Sequence, residues 1–439
     1  MNKIRKNIDN LSNFSGLGEL QKKILYTLLL LLIYRLGIHI PTPGVDAEAL
    51  ASFFNQMKGT LLNVFDMFSG GGLKRLSIFA LGIMPYISAS IIMELLTVVV
   101  PKLDQLKKEG SEGYKKITRY SRYGTVVISL VQGMGIAMGL ENMTSPSGAS
   151  VVLDPGWLFR INTMITLTAG TVFIMWLGER ITEKGIGNGI SLIIFAGIVT
   201  SMPGAVINTL RLIRTGELSI IVAIIILIMA ILVIGAVVFF ETSQRRIPIH
   251  YAKRVVGRKV YGGQTTYLPL KINTAGVIPP IFASSILLFP ATITTFIKVP
   301  FFQNFNNIFH PNSIIYNILY VALIFGFCFF YTAITFRSDN VAENLRKYGG
   351  FVPGIRPGKK TAEYIDTILT RITLWGALYV SAVCVLPVIL LMQFNIPFYF
   401  GGTSLLIVVG VAIDIMQRVE SYLINRNYDS LLRKGRKGL

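Results

Sequence analysis

The run ELSIIVAIIILIMAILVIGAVVFF, residues 217–240, carries a single charge, at Glu217. A hydrocarbon core about 30 Å thick is crossed by roughly 20 apolar residues in helix, so this run spans a bilayer. The rest of the chain agrees with it. Across 439 residues, 52% hydrophobic content, a mean hydropathy of +0.59 and 15% charged residues lie outside the range of soluble globular proteins. A net charge of +20 would suit a nucleic-acid binder if the bases were gathered on a soluble domain, but here they sit in short loops between apolar runs.

The same rule gives ten spans, near 20–39, 76–100, 119–140, 155–178, 186–206, 217–240, 273–296, 313–336, 367–392 and 400–419. Basic loops stay cytoplasmic. That places inside the N-terminus, the loop with Lys102, Lys107, Lys108, Lys115 and Lys116, and the loop with Arg180 and Lys184. It also places inside the long loops near 241–272 and 337–366 and the basic tail 421–439, while the segments 141–155 and 394–400 hold few or no bases. Both termini are therefore expected in the cytoplasm. The N-terminal MNKIRKNIDN followed by ILYTLLLLLIY has the outline of a secretory signal, yet no small-residue cleavage site follows, and an uncleaved first span is expected.

An even count splits at a loop near 207–216 into an N-terminal half, 1–206, and a C-terminal half, 217–420. Five spans per half force the halves into opposite orientation, an arrangement found in transporters around a central path. The expected fold is thus all-α and polytopic, ten transmembrane helices in two inverted five-helix halves. Cys328 and Cys384 fall inside spans without metal-ligand spacing, so neither a disulfide nor a zinc site is expected, and no cofactor is implied.

Upstream of the second span lies TLLNVFDMFSGGGLKR, whose apolar piece is too short to cross and ends at Gly70, Gly71 and Gly72. A half-length helix on a glycine hinge reads as re-entrant; an amphipathic helix on the membrane surface is the other reading. In FALGIMPYISASIIMELLT, Ile83, Ile87 and Ile91 recur at i, i+4 on one helical face. Ordinary helix packing accounts for such a stripe; a stiff apolar constriction also does. Pro85 is expected to kink or loosen this helix, with Ser88 and Ser90 available to a neighbour.

Charge placement separates function classes. Arg35, Glu94, Arg160 and Asp414 all sit toward span ends, and no carboxylate pair lies at mid-depth where ion-coupled transporters keep one. His39, His250 and His310 lie in loops or at ends, so no intramembrane hydrolase is expected. GGFVPGIRPGKKT has three residues, where a phosphate loop needs four, between Gly354 and Gly358. A conduit without its own energy source needs an engine outside, and the two large basic loops offer a partner-sized surface.

Six strings carry a resemblance to a known family: FDMFSGGGLKRLSIFALGIMPYISASII, MWLGERITEKGIGNGIS, QRRIPIHYAKR, LPLKINTAGVIPPIFASSI, FVPGIRPG and PFYFGGTSLLIVV. In order and spacing the chain, from about Ile24 to its tail, resembles the SecY family of bacterial protein-translocase channels. The resemblance implies an hourglass pore between two hinged halves. It implies a plug at about 60–72, comprising Leu61, Leu62, Asn63, Val64, Phe65, Asp66, Met67, Phe68, Gly70, Gly71 and Gly72. It implies a pore ring of Ile83, Ile87, Ile194, Ile281, Ile293 and Ile407, and a lateral gate toward lipid lined by Ser88, Ile91, Glu94, Asn273 and Phe289. Glu94 departs from the many relatives that carry glutamine there.

The family further implies docking of the ATPase SecA or the ribosome on Arg245, Arg246, Lys253, Arg254, Arg258, Lys259, Arg356, Lys359 and Lys360. It also implies SecE and SecG as small partners, unfolded preproteins with their signal sequences as cargo, anionic lipid as surroundings, and the bacterial cytoplasmic membrane as location. Contact with nucleic acid is expected only through ribosomal RNA. A small-solute secondary transporter and a lipid scramblase or insertase remain the competing classes. Gradient-driven solute uptake would mark the first, and insertion or scrambling without luminal transfer of long polar chains the second.

Overall fold

The computed structural model describes residues 17–46, 49, 50, 52, 66, 69–141, 143, 150–216, 219–251, 254–256, 259–261, 265–296, 313–394 and 402–436. Its helices are α1 (Leu17–Gly37), α2 (Met84–Val99), α3 (Pro101–Lys108), α4 (Ser111–Glu141), α5 (Trp157–Lys184), α6 (Gly189–Thr215), α7 (Ile220–Thr242), α8 (Ile278–Phe296), α9 (Ile314–Thr335), α10 (Ser338–Lys347), α11 (Lys359–Phe394) and α12 (Gly402–Arg436). Among the described residues seven helices are long and apolar enough to cross a membrane, or eight if α2 and α3, which meet at 99°, count as one broken span. α1 overlaps the first expected span but carries Glu19, Lys22, Lys23 and Arg35. The strands are β1 (Gln244–Tyr251), β2 (Arg254–Val256), β3 (Lys259–Tyr261), β4 (Thr265–Lys271) and β5 (Gly350–Phe351).

The chain forms two compact units, the first of residues 1–208, 288–310 and 411–439, the second of 209–287 and 311–410. The stretch 207–216, expected as a loop, is not one. That stretch is helical up to Thr215, with Pro203 inside α6, so only the short segment 216–219, opening with a turn at Gly216, separates α6 from α7. The reason is compositional: AVINTLRLIRT holds neither glycine nor proline, so nothing stops the helix before Gly216. The tail differs likewise, since α12 continues as one helix from the last span to Arg436.

In the first unit α4 and α5 pack along small and hydroxylated residues. Gly133 lies against the Met164 backbone, and Thr125, Ser129, Thr163 and Thr171 are buried. The hydroxyls of Thr125, Thr168 and Thr171 donate to the carbonyls of Ser121, Met164 and Leu167 at 2.8, 2.8 and 3.0 Å, so each of these three is satisfied within its own helix. The second expected span begins later than read. Residues 69–83 form successive turns, and Pro85 stands in the first turn of α2, where its missing N–H costs nothing. Pro85 thus starts the helix and does not kink it.

In the second unit α7 is apolar all round and nearly bare, with Ile226 and Val237 its buried residues, as expected of a helix whose solvent is lipid. The loop expected at 241–272 is a sheet. β1 pairs antiparallel with β4 from Gln244↔Lys271 to His250↔Thr265, and its other edge pairs with β5 through His250↔Phe351 and Tyr251↔Gly350. His250 therefore lies on a strand. Period-two alternation drives it: Ile247 and Ile249 are buried while Arg245, Arg246, Pro248 and His250 are exposed. Beneath, Ile247, Leu270, Val352, Ile365 and Leu369 form one apolar cluster with Leu268, Phe336, Val341 and Ile355 packed on it.

Candidate functional site

Of the expected plug, Leu61, Leu62, Asn63, Val64, Phe65, Met67 and Phe68 lie outside the described residues. Asp66 and Gly70 to Gly72 are described, and they belong to a tightly bonded turn. The Asp66 carbonyl accepts the Gly71 N–H at 2.8 Å and the Ser69 hydroxyl at 3.0 Å, and its carboxylate accepts the Lys74 N–H at 2.8 Å. Burial pushes the Asp66 carboxyl above the ordinary carboxylate range, against the opposing pull of the Lys74 and Leu73 N–H groups. The turn is then stitched to the segment after α1: Thr42 N–H donates to the Leu76 carbonyl at 2.8 Å and Ile78 N–H to the Ile40 carbonyl at 3.0 Å. Leu76 is held at φ 40°, an uncommon conformation for a leucine. Phe79 stacks between Tyr34 of α1 and Phe173 of α5, with ring centroids 6.0 and 5.9 Å away.

Ile83, Ile87 and Ile91 are all buried within the first unit, Ile83 immediately before α2 and the other two on it. Ile194, on α6, is buried there as well. In the second unit Ile407 is buried and Ile281 half-buried, its carbonyl accepting the hydroxyls of Ser284 and Ser285 at 2.9 and 2.8 Å. The side chains of Ile293 and Phe289 lie outside the described residues, although both positions fall in α8. Ser88 and Glu94 are half-buried on α2.

Asn273 is 6% exposed and donates both amide hydrogens, to the Glu241 carboxylate at 2.7 Å and the Gly276 carbonyl at 3.0 Å. Beside them Phe240 stacks on Tyr379 with centroids 4.4 Å apart. Sequence reading missed Glu241, although a carboxylate closing the most apolar span was a signal in plain view.

The two basic loops read separately from sequence are joined in one sheet. Arg245 and Arg246 stand exposed on β1, whose far edge carries β5, the strand that leads into the turn bearing Arg356. That turn is anchored by buried Val352 and half-buried Ile355 in the apolar cluster below, and the Thr361 hydroxyl donates to the Arg356 carbonyl at 3.0 Å. Arg356, Lys359 and Lys360 are exposed; Lys360 reaches Glu363 at 3.1 Å. Arg254 and Lys259 occupy the paired strands β2 and β3, their side chains outside the described set, and Lys253 and Arg258 lie outside the described residues altogether.

A SecY family model matches residues 77–416. The chain belongs to the SecY family. It is 50% identical over 431 residues to protein translocase subunit SecY of Escherichia coli K12, covering 97% of each chain. It is 51% identical over 428 residues to the same subunit of Pseudomonas aeruginosa, covering 97% of this chain and 95% of that one. A solved protein-conducting channel is similar in fold, with TM-score 0.66 at 17% identity and 93% of each chain covered. So is Sec61 in a canine ribosome-channel complex, with TM-score 0.63 at 16% identity and the same coverage. Members of the SecY family are translocase channel subunits and not enzymes, and this chain is accordingly a multi-pass membrane protein of that kind.

Proposed function

We propose that the chain is the conduit of a bacterial Sec translocase, passing unfolded secretory polypeptides across the cytoplasmic membrane and releasing membrane segments sideways into lipid. The observation that carries the mechanism is the shared platform: one sheet unites both basic loops and holds Arg356 outward on a turn rooted in a hydrophobic cluster. Arginines on a rigid base suit recognition of a large anionic or carboxylate-rich partner better than bases on a free loop, because less ordering entropy is lost on binding. SecA or the ribosome is that partner, SecE and SecG complete the complex, and anionic lipid surrounds it. Both termini face the cytoplasm.

Within the membrane, Ile83, Ile87, Ile194, Ile281, Ile293 and Ile407 form the constriction: β-branched side chains without hydrogen-bonding groups close on varied cargo without binding it. The plug, Leu61 to Gly72, seals the path at rest. Ser88, Ile91, Glu94, Asn273 and Phe289 line the gate into which a signal sequence intercalates.

The test uses proteoliposomes holding this chain with SecE, SecG and SecA. After addition of ATP and an unfolded precursor, protease protection is scored for the unaltered chain and for Arg356→Glu. Charge reversal at a docking hot spot is expected to cut protection about a hundredfold while leaving membrane integration unchanged. Protection that ignores the substitution removes Arg356 from the coupling; no protection from an intact, fully assembled preparation shifts the function toward insertase or solute transport.

A further inference from the structure

The turn from Ser69 to Gly72 is held by two donors from consecutive residues of one helix. Tyr34, 1% exposed, donates its hydroxyl to the Ser69 carbonyl at 3.2 Å. Arg35 donates from Nη1 to the Gly70 carbonyl at 2.8 Å. Neither group is needed to end α1, whose last turn is continued by backbone bonds from Ile38 and His39 to Tyr34 and Leu36. The acceptors are placed with equal care. Gly70 sits at φ 69°, and a Cβ there would lie 3.1 Å from the Gly197 Cα and 3.2 Å from the Tyr34 hydroxyl, so only glycine lets the chain bring its carbonyl this close. One bond further on, the Ser69 hydroxyl and the Gly71 N–H both donate to the carbonyl of Asp66, the one described residue among 61–68.

We infer that Tyr34 and Arg35 are positioning residues of the seal, a two-point latch through which α1 fixes the turn from Ser69 to Gly72 at the end of the plug segment. The inference rests on the reading of Leu61 to Gly72 as the plug. A solved relative with TM-score 0.65 at 19% identity is described as having a plug domain that stabilises the closed state, which is the state such a latch favours. The two bonds differ in strength. A guanidinium bound to a carbonyl is charge-assisted, whereas the phenol bond is neutral and, at 3.2 Å, longer than an ordinary O–H···O bond. Arg35 therefore carries more of the latch than Tyr34, and the Tyr34 ring, stacked on Phe79, holds the frame regardless of its hydroxyl.

Potassium efflux from proteoliposomes holding the full chain with SecE and SecG reads the latch without any cargo. Arg35→Met is expected to raise the resting leak about tenfold and Tyr34→Phe about threefold, with Arg35→Lys close to the unaltered chain because its ammonium still donates. The same substitutions are then placed in a chain lacking residues 61–68. There the turn remains but holds nothing, so neither should add to the leak. Leaks unchanged by both Arg35→Met and Tyr34→Phe overturn the latch. So does an equal added leak in the shortened chain, which would make the bonds general supports of the funnel. Failure of the deletion alone to raise the leak overturns the plug reading instead, and that comparison touches neither Tyr34 nor Arg35. Tyr34→Phe, which removes one oxygen, keeps the test available should Arg35→Met fail to assemble.

Discussion

Arg35, on helix α1, and Arg356, on a turn, each work with a turn that holds a left-handed glycine, Gly70 and Gly354, yet the fold uses them in opposite ways. Arg35 turns its guanidinium inward onto the Gly70 carbonyl, while Arg356 is displayed outward from a turn whose apolar feet, Val352 and Ile355, are sunk in the cluster of the second unit. At the turn from Ser69 to Gly72 polar side chains of α1 satisfy backbone carbonyls. On the platform the hydrophobic residues do the holding and the charges face out. A charge turned inward fixes geometry; a charge turned outward recruits.

Three substitutions sharpen that contrast. Leu369→Ala, in the cluster beneath Arg356, should cost about 3 kcal/mol through lost burial and a cavity. It should lower motor-driven protection while potassium leak stays at rest level; a raised leak would show that the platform also supports the seal. Gly170→Ala acts on the other region, because a Cβ there runs into the Ile78 carbonyl, a backbone atom that cannot rotate away. About 2 kcal/mol of overpacking strain is expected, seen as a lower Tm in detergent and a raised leak with SecA binding intact. An unchanged Tm would mean that the turn is not seated on α5. Gly354→Ala is the mildest. Its Cβ meets open space and only the φ of 78° opposes it, so about 1 kcal/mol is expected, with a small loss of protection and no leak.

The same contrast explains which parts of the site could be read in advance. The exposed bases of the platform were legible one by one, because a basic residue in a polar loop announces itself locally. Their union was not: β1 and β5 lie about a hundred positions apart, and no local pattern names a strand's partner. Pro85 was legible as a breaker but not as a helix start, since that depends on residues 69–83 turning against α1. The Asn273 position came from the family strings, whereas its pairing with Glu241, at the end of α7, required the fold.

By itself the sequence determined the solvent, the mostly helical multi-pass class, the family and the positions of the basic residues. These depend on hydropathy and on short strings, quantities that add up along the chain without reference to distant residues. The tertiary structure decided how the chain divides into two units, that two loops make one sheet, where α2 begins, and which carbonyls Tyr34 and Arg35 meet. The two latch bonds, for example, each join residues 35 positions apart. A directional bond of about 3 Å exists only once the whole backbone has brought donor and acceptor into place.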